Sequence, residues 1–246
     1  MSLGQSVRTH TIGLLLHKDG SMFGSFIARH FDFRPVAARQ WVQLIFGLSM
    51  YGLAISFMMQ SHFGLGPWDL FHQGINKLTG LKVGLVSELV GFALMAMLLV
   101  VDIRFGWGTI SNIILIGLVT DLTMPFIPAV SSWPWQLGYY LVALLLCGIG
   151  IGAYIGANMG AGPRDSFMLF LVRRFNWPVR HVRTGIELSV LFLGWIMGGD
   201  VGWGTLLFAV SIGPAVQWGL KLFKALPHSV KPEPSMTEPV ETAPSV

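Results

Sequence analysis

The hydrophobic residues of this chain form long, unbroken runs that are separated by short polar or glycine-rich segments. A helix that crosses a lipid bilayer needs about 20 consecutive, mainly apolar residues. The runs are continuous rather than alternating, so they predict helices and not the strands of a membrane barrel. We therefore predict an all-α membrane protein with about six transmembrane helices. The predicted spans are residues 41–60, 83–101, 107–127, 136–157, 184–199 and 205–223.

The two ends of the chain lie outside these runs. Residues 22–33 place their apolar side chains on one helical face, which predicts an interfacial amphipathic helix; the alternative is a loosely ordered arm. Residues 225–246 contain five of the 13 prolines and no apolar run, which predicts a disordered tail. The expected organisation is an N-terminal arm at residues 1–40, a transmembrane domain at residues 41–224, and this tail.

The composition supports a membrane protein, and no motif supports an intramembrane enzyme, which is the alternative. Hydrophobic residues make up 53% of the chain and charged residues 11%, whereas a soluble domain has about 25% charged residues. The single cysteine, Cys147, cannot form an internal disulfide or a cysteine metal site. The sequence has no Ser/His/Asp grouping, metalloprotease motif or nucleotide-binding loop, so no catalytic residue, cofactor or metal is expected.

The lysines and arginines predict how the protein is oriented. Positively charged loops stay on the cytoplasmic side of a membrane. With the N-terminus inside, 14 of the 16 basic residues lie on the inner side, and only Lys77 and Lys82 lie outside. Both termini are then cytoplasmic. The sequence pI near 9.5 therefore reports membrane orientation and does not indicate a nucleic-acid partner.

Two sequence motifs occur twice with the same spacing. A Gly-x-Gly-Pro-x-Asp motif at residues 64–69 returns 96 residues later at 160–165, and a Gly-Trp-Gly-Thr motif at 106–109 returns at 202–205. A shared offset for two motifs indicates an internal duplication. Each copy contains three predicted spans, and because three is odd, the second copy should be inverted in the membrane, as in many secondary transporters. The two repeats cover about residues 41–128 and 136–224.

The Gly-x-Gly-Pro-x-Asp motifs predict breaks between helices, since glycine permits turns and proline suits the first helical position. Each motif is followed by an apolar segment too short to span the bilayer, which fits a re-entrant half-helix. One interpretation is that both breaks line a central pathway; the other is a tight turn whose aspartate caps its own helix. The candidate pathway or substrate residues are Gly64, Gly66, Pro67, Asp69, Gly160, Gly162, Pro163, Arg164 and Asp165, with His62 and Asn158 just before the turns.

Three carboxylates fall inside the predicted spans. Glu88 and Glu187 lie near the starts of corresponding spans, and Asp121 lies deeper in the third span. Ionisable groups are costly in lipid and are therefore candidates for function, here ion or proton coupling. The alternative for the glutamates is that they are wet near the headgroups, or that they pair with Lys82 and Arg183. The alternative for Asp121 is a structural hydrogen bond between helices.

Small residues and threonines predict local packing. Gly52 and Gly148 belong to matching series of small residues at multiples of four, which should let the first and fourth spans pack closely. Thr109 and Thr205 of the Gly-Trp-Gly-Thr motifs should cap the starts of the third and sixth spans.

The duplicated motifs resemble those of a known family. The Gly-x-Gly-Pro-x-Asp motif at 64–69, the Gly-Thr pair at 108–109 and their second copies are similar to the YczE/YitT-like family of bacterial integral membrane proteins, over about residues 41–223. The resemblance implies a small multi-pass protein of the bacterial inner membrane. It also implies a family with no agreed substrate or catalytic residues, one member of which is associated with the regulation of antibiotic and lipopeptide production.

Three functions fit these observations. The first is a small secondary transporter or permease for an unknown small-molecule substrate, which works by alternating access between the repeats. The second is a membrane regulator or scaffold without transport activity, with a homodimer or another protein partner at the basic inner loop, residues 173–183. The third is a substrate-binding subunit of a larger uptake complex.

Overall fold

The computed structural model describes residues 30–33, 35–101, 103 and 105–223, and these residues are mainly helical. The helices are α1 (Ala38–Ser61), α2 (Pro67–Thr79), α3 (Val83–Leu99), α4 (Trp107–Thr123), α5 (Trp133–Gly156), α6 (Pro163–Phe175), α7 (Val179–Ile196) and α8 (Trp203–Leu222). A 3-10 helix at Met124–Phe126 extends α4, and two short strands, β1 (Phe31–Asp32) and β2 (Phe105–Gly106), pair in parallel.

These helices confirm an all-α membrane protein, but they do not establish six spans. Four segments are long and apolar enough to cross a membrane: α1, α4 with its 3-10 extension, α5 and α8. A fifth candidate is the pair α2 and α3, which are bent by 112° at their junction. Helix α7 covers the predicted span at residues 184–199, but three charges in its first ten residues, on Arg180, Arg183 and Glu187, make it more polar than the other long helices.

Large apolar side chains cover the outside of the helices, as a surface in contact with lipid requires. In water, exposed apolar patches of this extent lead to association or aggregation. In a bilayer the same side chains meet lipid tails and need no protein partner. Outward-facing examples on α4, α5 and α8 are Leu118, Leu122, Leu141, Leu145, Leu206 and Val210.

The prediction for the end of the amphipathic helix is wrong, because the last residues of that segment form strand β1 and pair with β2. Side chains alternate along an extended chain, so Phe31 and Phe33 lie together, with ring centroids 5.3 Å apart. Phe33 also lies 4.3 Å from the ring of Trp107. This aromatic cluster and the strand pairing stabilise extended backbone over helix. The rest of that helix, residues 22–29, and the predicted disordered tail, residues 225–246, lie outside the described residues.

Helices α1 and α5 form the centre of the bundle, which confirms that the first and fourth spans pack together. They approach closely because small residues meet. A Cβ added to Gly47 would lie 2.8 Å from the carbonyl oxygen of Gly150, and one added to Gly150 would lie 2.7 Å from that of Gly47. The side chains of Gln40 and Gln43 strengthen the pair by donating hydrogen bonds to carbonyl oxygens near the end of α5.

The glycines that the sequence predicted for this contact lie elsewhere. A Cβ on Gly52 would lie 2.8 Å from the carbonyl oxygen of Ile116 on α4, and one on Gly148 would lie 2.6 Å from that of Ala215 on α8. The prediction named the right helices and the wrong residues. A repeating spacing of small residues marks one helical face, but it does not identify the neighbour that covers the face.

The helices pack in two matching sets. Helix α1 packs on α4 as α5 packs on α8, and α2 packs on α7 as α6 packs on α3. Each short helix therefore lies against a long helix from the other half of the chain. One pair breaks the match, because α3 packs on α4 whereas α7 and α8 have almost no contact.

Candidate functional site

The two Gly-x-Gly-Pro-x-Asp motifs form the same turn twice. His62 and Asn158 have left-handed backbone, with φ of 50° and 53°. Gly64 and Gly160 follow with φ of 131° and 119°, which residues with a side chain rarely adopt. Each turn then leads into a 13-residue helix, α2 or α6, that begins with proline. The predicted helix breaks are therefore present at both positions.

Each turn is held by the Gly-Trp-Gly-Thr motif of the other half of the chain. The backbone N–H of Gly108 donates to the carbonyl oxygen of Met159, and the N–H of Gly204 donates to that of Phe63, both at 2.7 Å. Thr109 Oγ1 adds a hydrogen bond to the carbonyl oxygen of Ala161 at 2.7 Å. We call these contacts the cross-tethers.

The cross-tethers explain why both motifs are rich in glycine. A Cβ on Gly108 would lie 2.8 Å from the carbonyl oxygen of Met159, which leaves no room for a side chain. The predicted caps are also present, since Thr109 and Thr205 each accept a hydrogen bond at 3.4 Å from the N–H three residues earlier. The motifs thus begin α4 and α8 and at the same time join the two halves.

A cavity of about 190 Å³ lies where the N-terminal ends of α2 and α6 meet the central helices. Its apolar wall comes mainly from isoleucines of α4, α5 and α8, such as Ile116, Ile151 and Ile212. Its polar and aromatic lining includes Tyr51, Trp68, Asp69, Asn112, Tyr154, Arg164, Asp165, Arg183 and Glu187.

Trp68 and Arg164, the variable residues between proline and aspartate in the two motifs, meet at this cavity. The guanidinium carbon of Arg164 lies 4.8 Å from the ring centroid of Trp68, a cation–π distance. Arg164 Nη2 also lies 3.3 Å from His72 Nε2 and 3.4 Å from Ser87 Oγ. Among the described residues, no carboxylate oxygen lies within 4.0 Å of Arg164, so its charge has no ionic partner.

The two motif aspartates have different surroundings. Asp165 accepts a hydrogen bond from the Tyr154 hydroxyl at 3.2 Å. Asp69 is 4% exposed, and within the described part of the chain its Oδ1 has no hydrogen-bond partner. The position 96 residues before Tyr154 is Met58, which has no hydroxyl to offer. Oδ1 of Asp69 is therefore a buried acceptor without a partner among the described residues, in a residue that lines the cavity.

The cavity has a mouth on the side of α7 and α8. Arg183 and Glu187 line it and form an ion pair at 3.0 Å, with about half of each side chain exposed. The ion pair with Arg183, which was the alternative prediction for Glu187, is thus present. Glu187 also lines the cavity. On the other wall of the mouth, α8 contributes Ile212 and Val216.

The opposite seam, between α3 and α4, is closed. Asp121 accepts hydrogen bonds from the N–H groups of Gly84 at 2.8 Å and Leu85 at 3.1 Å. A Cβ on Gly117 would lie only 2.4 Å from the carbonyl oxygen of Gly84. Asp121 therefore makes the structural hydrogen bond between helices that was the alternative to ion coupling.

The matching seam between α7 and α8 is open. Gly213 corresponds to Gly117 at the offset of 96, yet a Cβ on Gly213 would meet nothing within 4 Å. Gln217, which corresponds to Asp121, is exposed. The two halves of the chain thus hold equivalent seams in different states.

The structure brings together only part of the predicted set. The predicted residues that line the cavity are Gly66, Pro67, Asp69, Gly162, Arg164, Asp165 and Glu187. The predicted residues that do not line it are Gly64, Gly160, Pro163, His62, Asn158, Glu88 and Asp121. Among these, the two residues before the turns are exposed, and the two glycines shape the turns. Glu88 packs beside Gly117 in the closed seam.

Several site residues were missed. Tyr51 and Tyr154 lie within long apolar helices, and no motif marks them. His72 lies one turn after Asp69, which was a usable signal because polar residues on one face of a half-helix point toward one neighbour. Outside the cavity lining, the sequence also did not indicate Asp200, which accepts a hydrogen bond from Gln73 Nε2 at 2.9 Å and pairs with Lys77 at 2.6 Å, and so holds α2 to the segment before α8.

Together these features define a class: a helical membrane protein with an internal polar cavity at the junction of two broken helices. Residues 38–221 match a family of unknown function, DUF6198, and the chain belongs to this family. An uncharacterized protein of Haemophilus influenzae is 37% identical over 75% of this chain and 85% of its own length.

Two relatives come from Bacillus subtilis. The uncharacterized membrane protein YczE is 34% identical over 74% of this chain and 85% of its own length. The uncharacterized protein YyaS is 26% identical over 65% of this chain and 82% of its own length. No solved structure matches the chain. The resemblance to YczE that the motifs indicated is confirmed.

Proposed function

We propose that this protein is a small secondary transporter, or permease, whose substrate site is the cavity between the two broken helices. The observation that carries the proposal is the meeting of Asp69 and Arg164. They come from equivalent half-helices and line one cavity, and neither has an ionic partner among the described residues. Charged groups inside a membrane domain are costly unless they serve a ligand or a pathway.

The proposal includes an inverted repeat. The shared offset of 96, the two identical turns and the matching packing of α1–α4 and α5–α8 support a duplicated unit. The positive-inside rule supports opposite orientations for the two copies, with α3 and α7 as further spans and both termini in the cytoplasm. The expected location is the bacterial inner membrane, with the lipid bilayer as a partner and no role in nucleic-acid binding or catalysis.

The unequal seams suggest how transport would proceed. In this orientation the open seam between α7 and α8 faces the cytoplasm, and the closed seam between α3 and α4 faces outward. The described state is then open to the inside. If the two copies exchange their seam states, the cavity opens to the outside instead, as alternating access between inverted repeats requires.

The proposal can be tested without knowing the substrate. Cells that lack the native protein receive the wild-type chain, Asp69→Asn or Asp200→Asn at equal membrane levels, and metabolites are measured inside and outside the cells. We expect at least one small metabolite whose distribution changes with the wild type and Asp200→Asn but not with Asp69→Asn. Asp200 is a matched control because its carboxylate lies outside the cavity lining. An identical distribution in all strains would contradict transport.

A second candidate function rests on the loop between α6 and α7. Arg173 and Arg174 are exposed at the end of α6 that leads into this loop, as are Phe175 and Trp177, whose ring centroids lie 5.3 Å apart. Aromatic and basic residues at this depth also serve as membrane anchors. A regulator or scaffold would use the surface to bind a partner or a second copy of the chain. A specific partner that is captured by the wild type and lost when the four arginines of residues 173–183 are neutralised would favour this function.

A further inference from the structure

The charges in the cavity also indicate a class of substrate, an inference that rests on the proposed transport function. One wall presents a negative group. Asp69 is buried, lines the cavity, and has a carboxylate oxygen without a hydrogen-bond partner among the described residues. A buried acceptor without a partner is unfavourable, and a buried charge more so, until a donor binds. A cationic N–H donor would both donate a hydrogen bond to this oxygen and compensate its negative charge.

The adjacent wall presents a positive group. Among the described residues, the hydrogen-bond partners of Arg164 are His72 and Ser87, at 3.3 and 3.4 Å, and neither is a carboxylate. These distances are long for hydrogen bonds of a guanidinium group. A carboxylate is the ligand that such a group binds best, since two N–H donors match two oxygens.

The two charges lie near each other but do not pair. Arg164 touches Trp68 and His72, which lie one residue before and three residues after Asp69 on α2. The guanidinium group therefore lies within about one helical turn of the Asp69 carboxylate. Their nitrogen and oxygen atoms are nevertheless more than 4.0 Å apart. A ligand that carries both charges a few bonds apart can bridge this gap.

The remaining volume limits the size of the ligand. The cavity measures about 190 Å³, whereas a cavity of about 150 Å³ holds benzene. Its other walls are largely apolar and include Ile116, Phe208 and Ile212. These dimensions suit a molecule of amino-acid size with a compact apolar body.

We propose that the substrate is a small zwitterion whose ammonium group binds Asp69, whose carboxylate binds Arg164, and whose apolar body lies against α4 and α8. Asp165 does not compete for the ammonium group because the Tyr154 hydroxyl already occupies one of its oxygens. The different surroundings of the two motif aspartates thus give the ligand one orientation.

The experiment uses three matched sets of probes: L-alanine, L-leucine and L-phenylalanine, each with the amine that lacks the carboxylate and the acid that lacks the ammonium group. Binding to the purified full chain in lipid nanodiscs is measured by calorimetry. We expect at least one zwitterion to bind ten times more tightly than either of its two partial analogues. Asp69→Asn and Arg164→Gln should each weaken that binding at least tenfold, whereas Arg173→Gln, on the exposed part of α6, should leave it unchanged.

The outcomes separate this inference from the proposed function. Equal binding of the amine or the acid alone overturns the zwitterion, and so does the absence of binding by every probe to protein that still unfolds cooperatively. A variant that fails to fold is replaced by Asp69→Glu or Arg164→Lys, which keep the charge and should weaken binding less. If a zwitterion binds but is not moved across proteoliposomes, the substrate class stands and the transport function fails.

Discussion

Asp69, Asp165 and Asp121 show how the same side chain takes different roles inside one membrane domain. Asp165 accepts from a tyrosine hydroxyl, Asp121 accepts from two backbone N–H groups, and Asp69 has a buried oxygen with no hydrogen-bond partner among the described residues. The two partnered carboxylates are balanced by donors from the protein. Only Asp69 depends on a donor that the described residues do not supply, so it is the aspartate that a ligand would affect most.

Replacing Asp121 should reduce stability rather than specificity. Asp121→Ala removes both acceptors for the first N–H groups of α3, and losing a helix cap costs about 0.5–2 kcal/mol. Asp121→Asn keeps one acceptor and should lose less. Thermal unfolding in detergent measures both changes. If Asp121 instead coupled an ion to transport, both variants would unfold like the wild type and fail to transport.

The helices pack through close backbone contacts at glycines as well as through large buried side chains such as Leu44, Leu48 and Tyr140. Gly47 and Gly150 bring α1 and α5 together, and Gly152 and Gly219 do the same for α5 and α8. Lipid tails are as apolar as leucine, so close backbone approach is the main way in which helices attract each other inside a bilayer. Each of these glycines is therefore required for its lack of a side chain and not for flexibility.

Two alanine substitutions in the same helix test this packing. A Cβ on Gly152 would lie 2.3 Å from the carbonyl carbon of Gly219, so Gly152→Ala should force α5 and α8 apart and lower the unfolding temperature. A Cβ on Gly138 would meet nothing within 4 Å. Gly138→Ala should therefore be neutral or stabilise α5 by up to about 1 kcal/mol, because alanine favours helix over glycine. Equal effects of the two substitutions would rule out this account of the packing.

At the scale of the whole molecule, the main feature is the difference between two equivalent seams. The seam between α3 and α4 is closed by a backbone contact and a carboxylate, and the seam between α7 and α8 is open at the cavity mouth. Under the transport function that we propose, an exchange of these two states would turn an inward opening into an outward one, as alternating access between inverted repeats requires.

A bulky residue at Gly213 tests whether the open seam must close. A Cβ on Gly213 meets no atom within 4 Å in this state, so Gly213→Leu should fold as the wild type does. It should nevertheless stop transport, because the matching contact at Gly117 leaves no room for a side chain. Unfolding temperature and uptake into proteoliposomes are measured together, with Gly138→Leu as the control for added bulk. Full activity of Gly213→Leu would show that this seam does not need to close.

Part of the cavity lining could be predicted from the sequence, because those residues belong to short local motifs. Asp69 and Arg164 lie in motifs whose glycines and proline specify the turn wherever they occur, so duplication alone indicated that both turns matter. Tyr51 and Tyr154 lie in helices that are apolar on every side. In such helices the pattern of residues does not show which face is turned inward, because lipid and protein interior favour the same side chains. The packing of α1 against α5 determines which face of each helix is turned inward.

The strand at Phe31–Asp32 escaped prediction for a different reason. Its partner at Phe105–Gly106 is more than 70 residues away, and a sequence pattern records no such pairing. Phe31 continues the helical spacing of the apolar residues before it, whereas Phe31 and Phe33 share a face only in an extended segment. The extended form is favoured by Trp107 at the start of α4, whose ring centroid lies 4.3 Å from that of Phe33.

The cross-tethers have a consequence for how the protein is made. The carbonyl oxygen of Phe63 finds its partner at Gly204, and that of Met159 finds its partner at Gly108. A ribosome that has just delivered Phe63 has thus produced a turn whose hydrogen-bond donor, Gly204, is still about 140 residues from synthesis. Neither half contains the N–H donor that holds its own turn, and each contains the donor that holds the turn of the other half. Two halves synthesised as separate polypeptides would therefore carry, between them, every contact needed to recognise each other in the membrane.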